Sequence, residues 1–185
     1  MKPILIDLPE FIETERLVIR PCMPGDGIDV HKSIKRSLED LKPWMAFANK
    51  VQTVEEVEEG VRESYAKYIL RQDLRLHIYL KETDEFIGST GLHSIDWKVR
   101  VFEIGYWCDS LHTNQGYITE STIALIKLAK DSLKANRIEI RVDTRNKKSR
   151  AIPVKLGFTL DGVLKNESLS ADGETLRDMC IYSLT

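Results

Sequence analysis

A chain of 185 residues, 42% of them hydrophobic and with a formal charge of −2, has the length for one domain with a sizeable core, residues 1–185, and no global basic field that would make nucleic acid a direct partner. Cys22, Cys108 and Cys180 are odd in number and far apart, and His31, His77, His93 and His112 lack the close pair spacing of metal ligands, so neither a disulfide framework nor a metal is expected. The apolar run in residues 1–7 is too short for a signal peptide and no stretch approaches the ~20 apolar residues of a membrane span, so the expectation is a soluble, cytoplasmic protein that keeps off membranes.

Residues 11–20 alternate and carry Leu17, Val18 and Ile19, the pattern of a first strand, closed by Pro21 and the turn residues Pro24-Gly25-Asp26-Gly27. A weakly signalled helix follows over residues 28–38. The interruption Pro43-Trp44-Met45-Ala46-Phe47 suits either core packing or the wall of a substrate cleft. Thr53 with Glu56 three residues on is a capping box, and Val54, Val57, Val61, Tyr65, Tyr68 and Ile69 then mark one face of a helix running to about Arg71. The glutamates Glu55, Glu56, Glu58, Glu59 and Glu63 line its other faces, as solvated surface or as an attractor for a basic peptide. Residues 74–80 and 86–92 alternate on either side of Lys81-Glu-Thr-Asp-Glu85 and predict a hairpin, with Gly88 and Gly91 marking close approach or twist.

The stretch Val101-Phe-Glu-Ile-Gly-Tyr-Trp-Cys108 reads as a central strand, and after a polar connector Gly116-Tyr117 opens a helical run in which Ile118, Thr122, Leu125, Ala129 and Leu133 share one face. Such a junction has a chemical consequence. The first-turn N–H groups of a helix have no intrahelical partner and the dipole favours negative charge there, so backbone alone can receive a phosphate, and Gly116 lets a ligand come close. Arg137-Ile-Glu-Ile-Arg-Val142 is a further strand. The loop after it carries Arg145, Lys147, Lys148 and Arg150, either as solvated surface or as cations for the phosphates of a nucleotide-bearing cofactor, and leads into a short helix ended by Gly157. Residues 158–164 and 174–183 make a last antiparallel pair around Asp172-Gly173, where glycine can take the positive φ of a tight turn.

Taken together, Glu103-Ile-Gly-Tyr-Trp107, Gly116 followed by Thr119-Glu120, Asn146 with Ser149 three residues on, and Leu156-Gly157-Phe158 followed by Asp161-Gly162 occur in an order and spacing that resemble the GNAT superfamily of acyl-CoA N-acyltransferases. A Thr14-Glu15-Arg16-Leu17 start and an Ile19-Arg20-Pro21 continuation extend the resemblance over nearly the whole chain, and within the superfamily it is similar to the group that acetylates the amino termini of ribosomal proteins. The resemblance implies an α/β (α+β) fold, a mixed, strongly twisted central sheet of about seven strands with helices on both faces. It also implies acetyl-CoA as co-substrate, without a metal, and a peptide α-amine as acceptor. Small amines such as polyamines, amino acids or antibiotics are the alternative acceptors, and a non-catalytic acetyl-CoA sensor is the alternative function. Dimers are common among similar proteins, and the sequence leaves the homo-oligomeric state open.

By the same resemblance, backbone groups of Tyr106, Trp107 and Cys108 bind the pantetheine arm as an extra strand. The Tyr106 N–H polarises the thioester, and N–H groups of Gln115, Gly116, Tyr117, Ile118 and Thr119 receive the phosphates. The family's phosphate loop is Gln or Arg, two residues, Gly, one residue, then Gly or Ala. Here Thr113, Gly116 and Ile118 occupy those positions, so only the central glycine matches. Many relatives carry a tyrosine four residues before the Gly-Phe pair to protonate the leaving thiolate, and Pro153 stands there. The ribosomal-protein group is thought to use a serine three residues after the asparagine, which makes Ser149 the implied donor and Asn146 a cofactor ligand; Ser149 also suits a plain helix N-cap. Glu103 and Glu167 are the candidate bases, with Glu167 preferred for contact with the acceptor amine.

Overall fold

The computed structural model describes residues 2–185. Its first two strands, β1 (Ile12–Glu13) and β2 (Leu17–Pro21), replace the single strand expected over residues 11–20. Thr14 causes the break: its N–H donates to Leu17 O at 2.9 Å and its Oγ1 accepts from Leu17 N at 3.0 Å, a local bond that competes with the ladder. The two halves fold back on each other, Ile12 opposite Ile19, and the sheet gains one strand over the expected number.

Helices α1 (Gly27–Arg36), α2 (Leu38–Leu41) and α3 (Val54–Ile69) follow. Both bonds of the Thr53/Glu56 capping box form, at 3.1 and 2.8 Å. α3 buries Val57, Val61 and Tyr68, and exposes Glu55, Glu59 and Glu63. Glu58 departs from the reading as solvated surface, because its carboxylate accepts from the N–H groups of Gly25 and Gly27 at 2.8 and 3.0 Å and ties α3 to the start of α1.

The remaining elements are β3 (Leu74–Leu80), β4 (Phe86–Asp96), β5 (Val101–Cys108), α4 (Tyr117–Lys127), β6 (Arg137–Asp143), α5 (Lys147–Lys155), β7 (Thr159–Leu169) and β8 (Leu176–Leu184). A π-helical turn, Leu128–Ser132, extends α4. Eight strands form one sheet in the order β1-β2-β3-β4-β5-β6-β8-β7, antiparallel except where β5 meets β6. The predicted face of α4 is the one that packs: Leu125, Ala129 and Leu133 meet Phe102, Ile104, Ile138 and Ile140 on one side of the sheet. On the other side Val30 and Ile34 of α1 and Val57 and Val61 of α3 cover Tyr79, Phe86 and Trp107. Helices therefore lie on both faces.

The feature that positions the site is a short register. The parallel β5–β6 pair joins only Val101 to Arg137, Phe102 to Ile138 and Glu103 to Glu139. Beyond Glu103 the two strands diverge, and the sheet opens as a wedge between Ile104–Cys108 and the end of β6.

Candidate active site

The open edge of β5 can be assigned group by group. Asp109 N–H donates to Ile87 O at 2.9 Å, and the β4–β5 register runs unbroken from Gly88 opposite Cys108 to His93 opposite Glu103. Backbone groups alternate sides along an antiparallel ladder, so the N–H and C=O of Gly105 and Trp107 face β4 while those of Tyr106 and Cys108 face the wedge. Buried backbone groups in folded proteins are paired, so these two residues offer one side of a ladder to an extended ligand. A cavity of about 550 Å³ begins at Tyr106, Trp107 and Cys108 and continues to Gly116, Tyr117, Ile118 and Thr119, with Asn146, Lys147, Lys148 and Ser149 on its far wall.

The loop between β5 and α4 is held at both ends. At its start, buried Asp109 accepts from Ser33 Oγ at 2.6 Å, from the Arg36 guanidinium and from Leu111 N at 3.0 Å. At its end, Glu120 accepts from Thr14 Oγ1 at 2.6 Å, Arg16 N at 3.0 Å and Arg16 Nε at 2.7 Å. Burial alone would raise the Glu120 carboxyl, but these donors hold it below its ordinary range. Arg16 also donates to Gln115 O at 3.0 Å and lies over the Tyr117 ring, 4.4 Å from its centroid. Between these clamps Gly116 is the N-cap of α4 at φ +84°, in the left-handed region that suits glycine, and contributes no capping side chain. The first-turn N–H groups are thus directed into the cavity with nothing of the chain's own to occupy them.

Gln115 stands apart from the other sequence-selected positions. It does not line the cavity; its carbonyl is taken by Arg16 and its side-chain amide donates to Leu111 O at 3.0 Å. Thr113 lines the cavity but turns its hydroxyl to Ser110 O at 3.1 Å. The basic cluster divides as well. Lys147 and Lys148 line the cavity without an acidic partner among the described residues, Arg145 is paired with Asp143 at 2.7 Å, and Arg150 is turned away onto Thr144 O and the Tyr182 hydroxyl.

Asn146, not Ser149, caps α5, its Oδ1 accepting from Ser149 N at 3.1 Å. That leaves the Ser149 hydroxyl free to donate to Tyr106 Oη at 3.3 Å, while the Tyr106 hydroxyl donates to Ser149 O at 3.0 Å. Burial pushes the Tyr106 phenol up to about 12, so it keeps its proton at neutral pH. A tyrosine hydroxyl therefore reaches the serine from β5 although proline occupies the position where many relatives carry one. The Cys108 thiol, also raised to about 12 by burial, is no nucleophile at neutral pH.

The wedge in the sheet, the uncapped helix start and the paired hydroxyls coincide with a family pattern: the Acetyltransferase (GNAT) domain matches residues 16–159. The chain belongs to the GNAT acetyltransferases. YdaF of Bacillus subtilis strain 168, a candidate ribosomal N-acetyltransferase, is 30% identical over 92% of this chain and 91% of its own. The ribosomal-protein-serine acetyltransferase of Escherichia coli K12 is 30% identical over 80% of this chain and 88% of its own. Among solved structures, the microcin C7 self-immunity acetyltransferase MccE, crystallised with acetyl-CoA and AMP, shares the fold with a TM-score of 0.89, at 24% identity over 96% of this chain and 97% of that one. This GNAT chain is an acetyl-CoA-dependent N-acetyltransferase with acetyl-CoA as co-substrate, and the open Tyr106 and Cys108 edge, the bare N-terminus of α4 and the free Lys147 and Lys148 fit that ligand.

A second cavity of this GNAT domain, about 350 Å³, lies on the other side of Tyr106 and Ser149 and is lined by Glu103, Glu167, Arg141, Trp44 and Met45. Glu167 is paired with Arg141 at 3.0 Å, whereas Glu103 has no ion-pair partner among the described residues. Trp44 and Met45 line both cavities, and Phe47 in the same interruption packs on Trp107 with ring centroids 5.9 Å apart. Asn49 Nδ2 donates to Ala171 O at 2.6 Å and joins this segment to the β7–β8 turn. Sequence reasoning missed Arg16 and Asp109 as clamps and the Tyr106 side chain as a donor. The Thr14-Glu15-Arg16-Leu17 run carried the only sequence signal for the first of these.

Proposed function

We propose that the chain acetylates the amino-terminal α-amine of a protein, a ribosomal protein by its relatives, through direct attack of that amine on the thioester. The supporting observation is the meeting of two cavities at Tyr106, Ser149 and Met45. One fits the cofactor, and the other offers the carboxylates of Glu103 and Glu167 to an incoming amine. When bound, acetyl-CoA supplies an activated acetyl group. The Tyr106 N–H donates to the oxygen that gains charge, a contribution typically worth about 2.7 to 4 kcal/mol. On the α5 side of the sheet, the Ser149 and Tyr106 hydroxyls stand ready to give a proton to sulfur. On the α1 and α3 side, Glu103 faces the amine, and Glu167, committed to Arg141, shapes the mouth of the acceptor cavity.

A second reading, a small amine that carries an anionic group, is favoured by Arg75. It lines a further cavity that also reaches Tyr106, touches only the Ser64 and Ser89 hydroxyls at 3.4 Å, and has no carboxylate partner among the described residues. Incubating a bacterial extract with the protein and isotope-labelled acetyl-CoA, then locating the label by mass spectrometry, distinguishes the two. Label on protein α-amines is expected; label confined to small molecules refutes the first reading.

A further inference from the structure

Among the pairs of titratable side chains that acetyl transfer leaves unused, one lies on the sheet face that carries Glu103. His93 Nδ1 lies 2.7 Å from Asp73 Oδ2, the two about one-third exposed, at the rim of the about 380 Å³ cavity between the sheet and α3. The imidazole lies flat on the sheet in a seat made by two glycines. Gly91 and Gly105 are opposite each other in the β4–β5 register, and a Cβ on either would stand 2.8 to 2.9 Å from the ring. Any other residue at those positions would displace it. The seat puts Nε2 beside Gly105, one residue from the Tyr106 N–H, and on the same face as Glu103, which stands opposite His93.

We propose that His93, oriented by Asp73, is the base that takes the proton from the acceptor amine. A carboxylate at Nδ1 selects the tautomer with the proton on Nδ1, and Nε2 then turns its lone pair into the cavity. The ammonium first gives one proton to Nε2, which passes it to water through the open cavity, and the neutral amine then attacks. As the N–C bond forms and the C–S bond breaks, Nε2 takes the second proton from nitrogen, while sulfur takes one from the Ser149 and Tyr106 hydroxyls, which are reprotonated from water, so that one proton is released in all. Donor and base thus stand on opposite faces of the sheet, so the proton released by nitrogen does not have to cross the thioester. The charged groups facing the imidazole are Asp73 and Arg75 on the β3 side, Glu103 on β5 and Glu56 on α3. Arg75 opposes an ammonium in this cavity and Glu56 is paired with Lys50, whereas Glu103 attracts the amine in the acceptor cavity, which meets this one at Met45, Gly105 and Tyr106.

Two measurements test this. Nitrogen-15 NMR of histidine-labelled protein, assigned with His93→Gln, should show the Nδ1–H tautomer at neutral pH, and Asp73→Asn should abolish that preference; an Nε2–H tautomer in the wild type overturns the proposal without reference to any acceptor. In the second, CoA release is followed with a peptide bearing a free amino-terminal serine. His93→Gly should lower turnover about a hundredfold with acetyl-CoA affinity unchanged, and added imidazole should restore part of it while pyrazole, of the same shape but a far weaker base, should not. Turnover within threefold of wild type, or equal rescue by both, refutes the base role. If the wild type does not acetylate the peptide, the protein-terminus reading fails by itself, and the comparison is run on an acceptor identified by labelling the extract.

Discussion

Gly116→Val tests the claim that the cofactor is held by backbone. Glycine at φ +84° is unstrained, whereas a non-glycine residue in the left-handed region costs roughly 1–2 kcal/mol, and a β-branched one the upper end of that. The cost is conformational, not steric, because a Cβ at this site meets only Arg16 Nη2, at 3.4 Å and at the far end of a flexible side chain. The Asp109 and Glu120 clamps are untouched, so the fold should survive with a small loss of stability. The strain is relieved by rotating the peptide groups at the start of α4, and this turns away the N–H groups that receive the phosphates. Acetyl-CoA affinity should fall at least tenfold, about 1.4 kcal/mol, with Gly116→Ala losing less. Isothermal titration checks the affinity and thermal unfolding checks the fold. A folded Gly116→Val protein that binds acetyl-CoA as the wild type does would show that the phosphates lie elsewhere.

Ser149→Ala should lower turnover and leave acetyl-CoA affinity within a few-fold. Tyr106→Phe, which removes the hydroxyl that meets Ser149 Oγ at 3.3 Å, should lower turnover further if the phenol is the ultimate donor; unchanged turnover in both means water protonates the thiolate. Arg16→Ala removes the guanidinium donors to Glu120 and Gln115 together, leaving the Thr14 hydroxyl and the backbone N–H on Glu120, and should weaken acetyl-CoA binding several-fold while shifting the unfolding temperature only slightly, since the Arg16 side chain is 42% exposed; equal affinity would show that the loop does not need this part of its clamp. His77 is fully buried, its Nδ1 facing Asp26 at 2.9 Å and its Nε2 without a partner, and burial pushes it down to about 4. The unfolded chain therefore binds more protons than the folded one below the ordinary histidine value of about 6.5, and stability should be lost as pH falls from there toward 4, by on the order of 3 kcal/mol. Urea midpoints at pH 7 and pH 4.5 measure this, and His77→Gln should flatten the slope.

The sequence by itself determined what is local. Thr53 and Glu56 form their capping box because both partners lie within one helical turn, and the burial of Thr122, Leu125, Ala129 and Leu133 follows from a 3.6-residue period that needs no knowledge of what covers it. The turn at Gly173, φ +80°, and the strand-loop-helix junction at Gly116 were legible for the same reason, since glycine marks a backbone conformation that other residues avoid. Tertiary structure decided everything that required two distant segments to meet. Periodicity says which side of β5 is buried but not how far β6 stays in register with it, and the wedge that exposes Tyr106 and Cys108 depends on the pairing ending at Glu103. Thr14 and Arg16 reach Glu120 across more than a hundred residues, and the Tyr106 hydroxyl finds Ser149 from 43 residues away. Such contacts arise from chain path and side-chain reach, which a single sequence does not encode in any short pattern; Glu58, one of five similar glutamates, docks α3 onto Gly25 and Gly27 only because α1 happens to begin beside it.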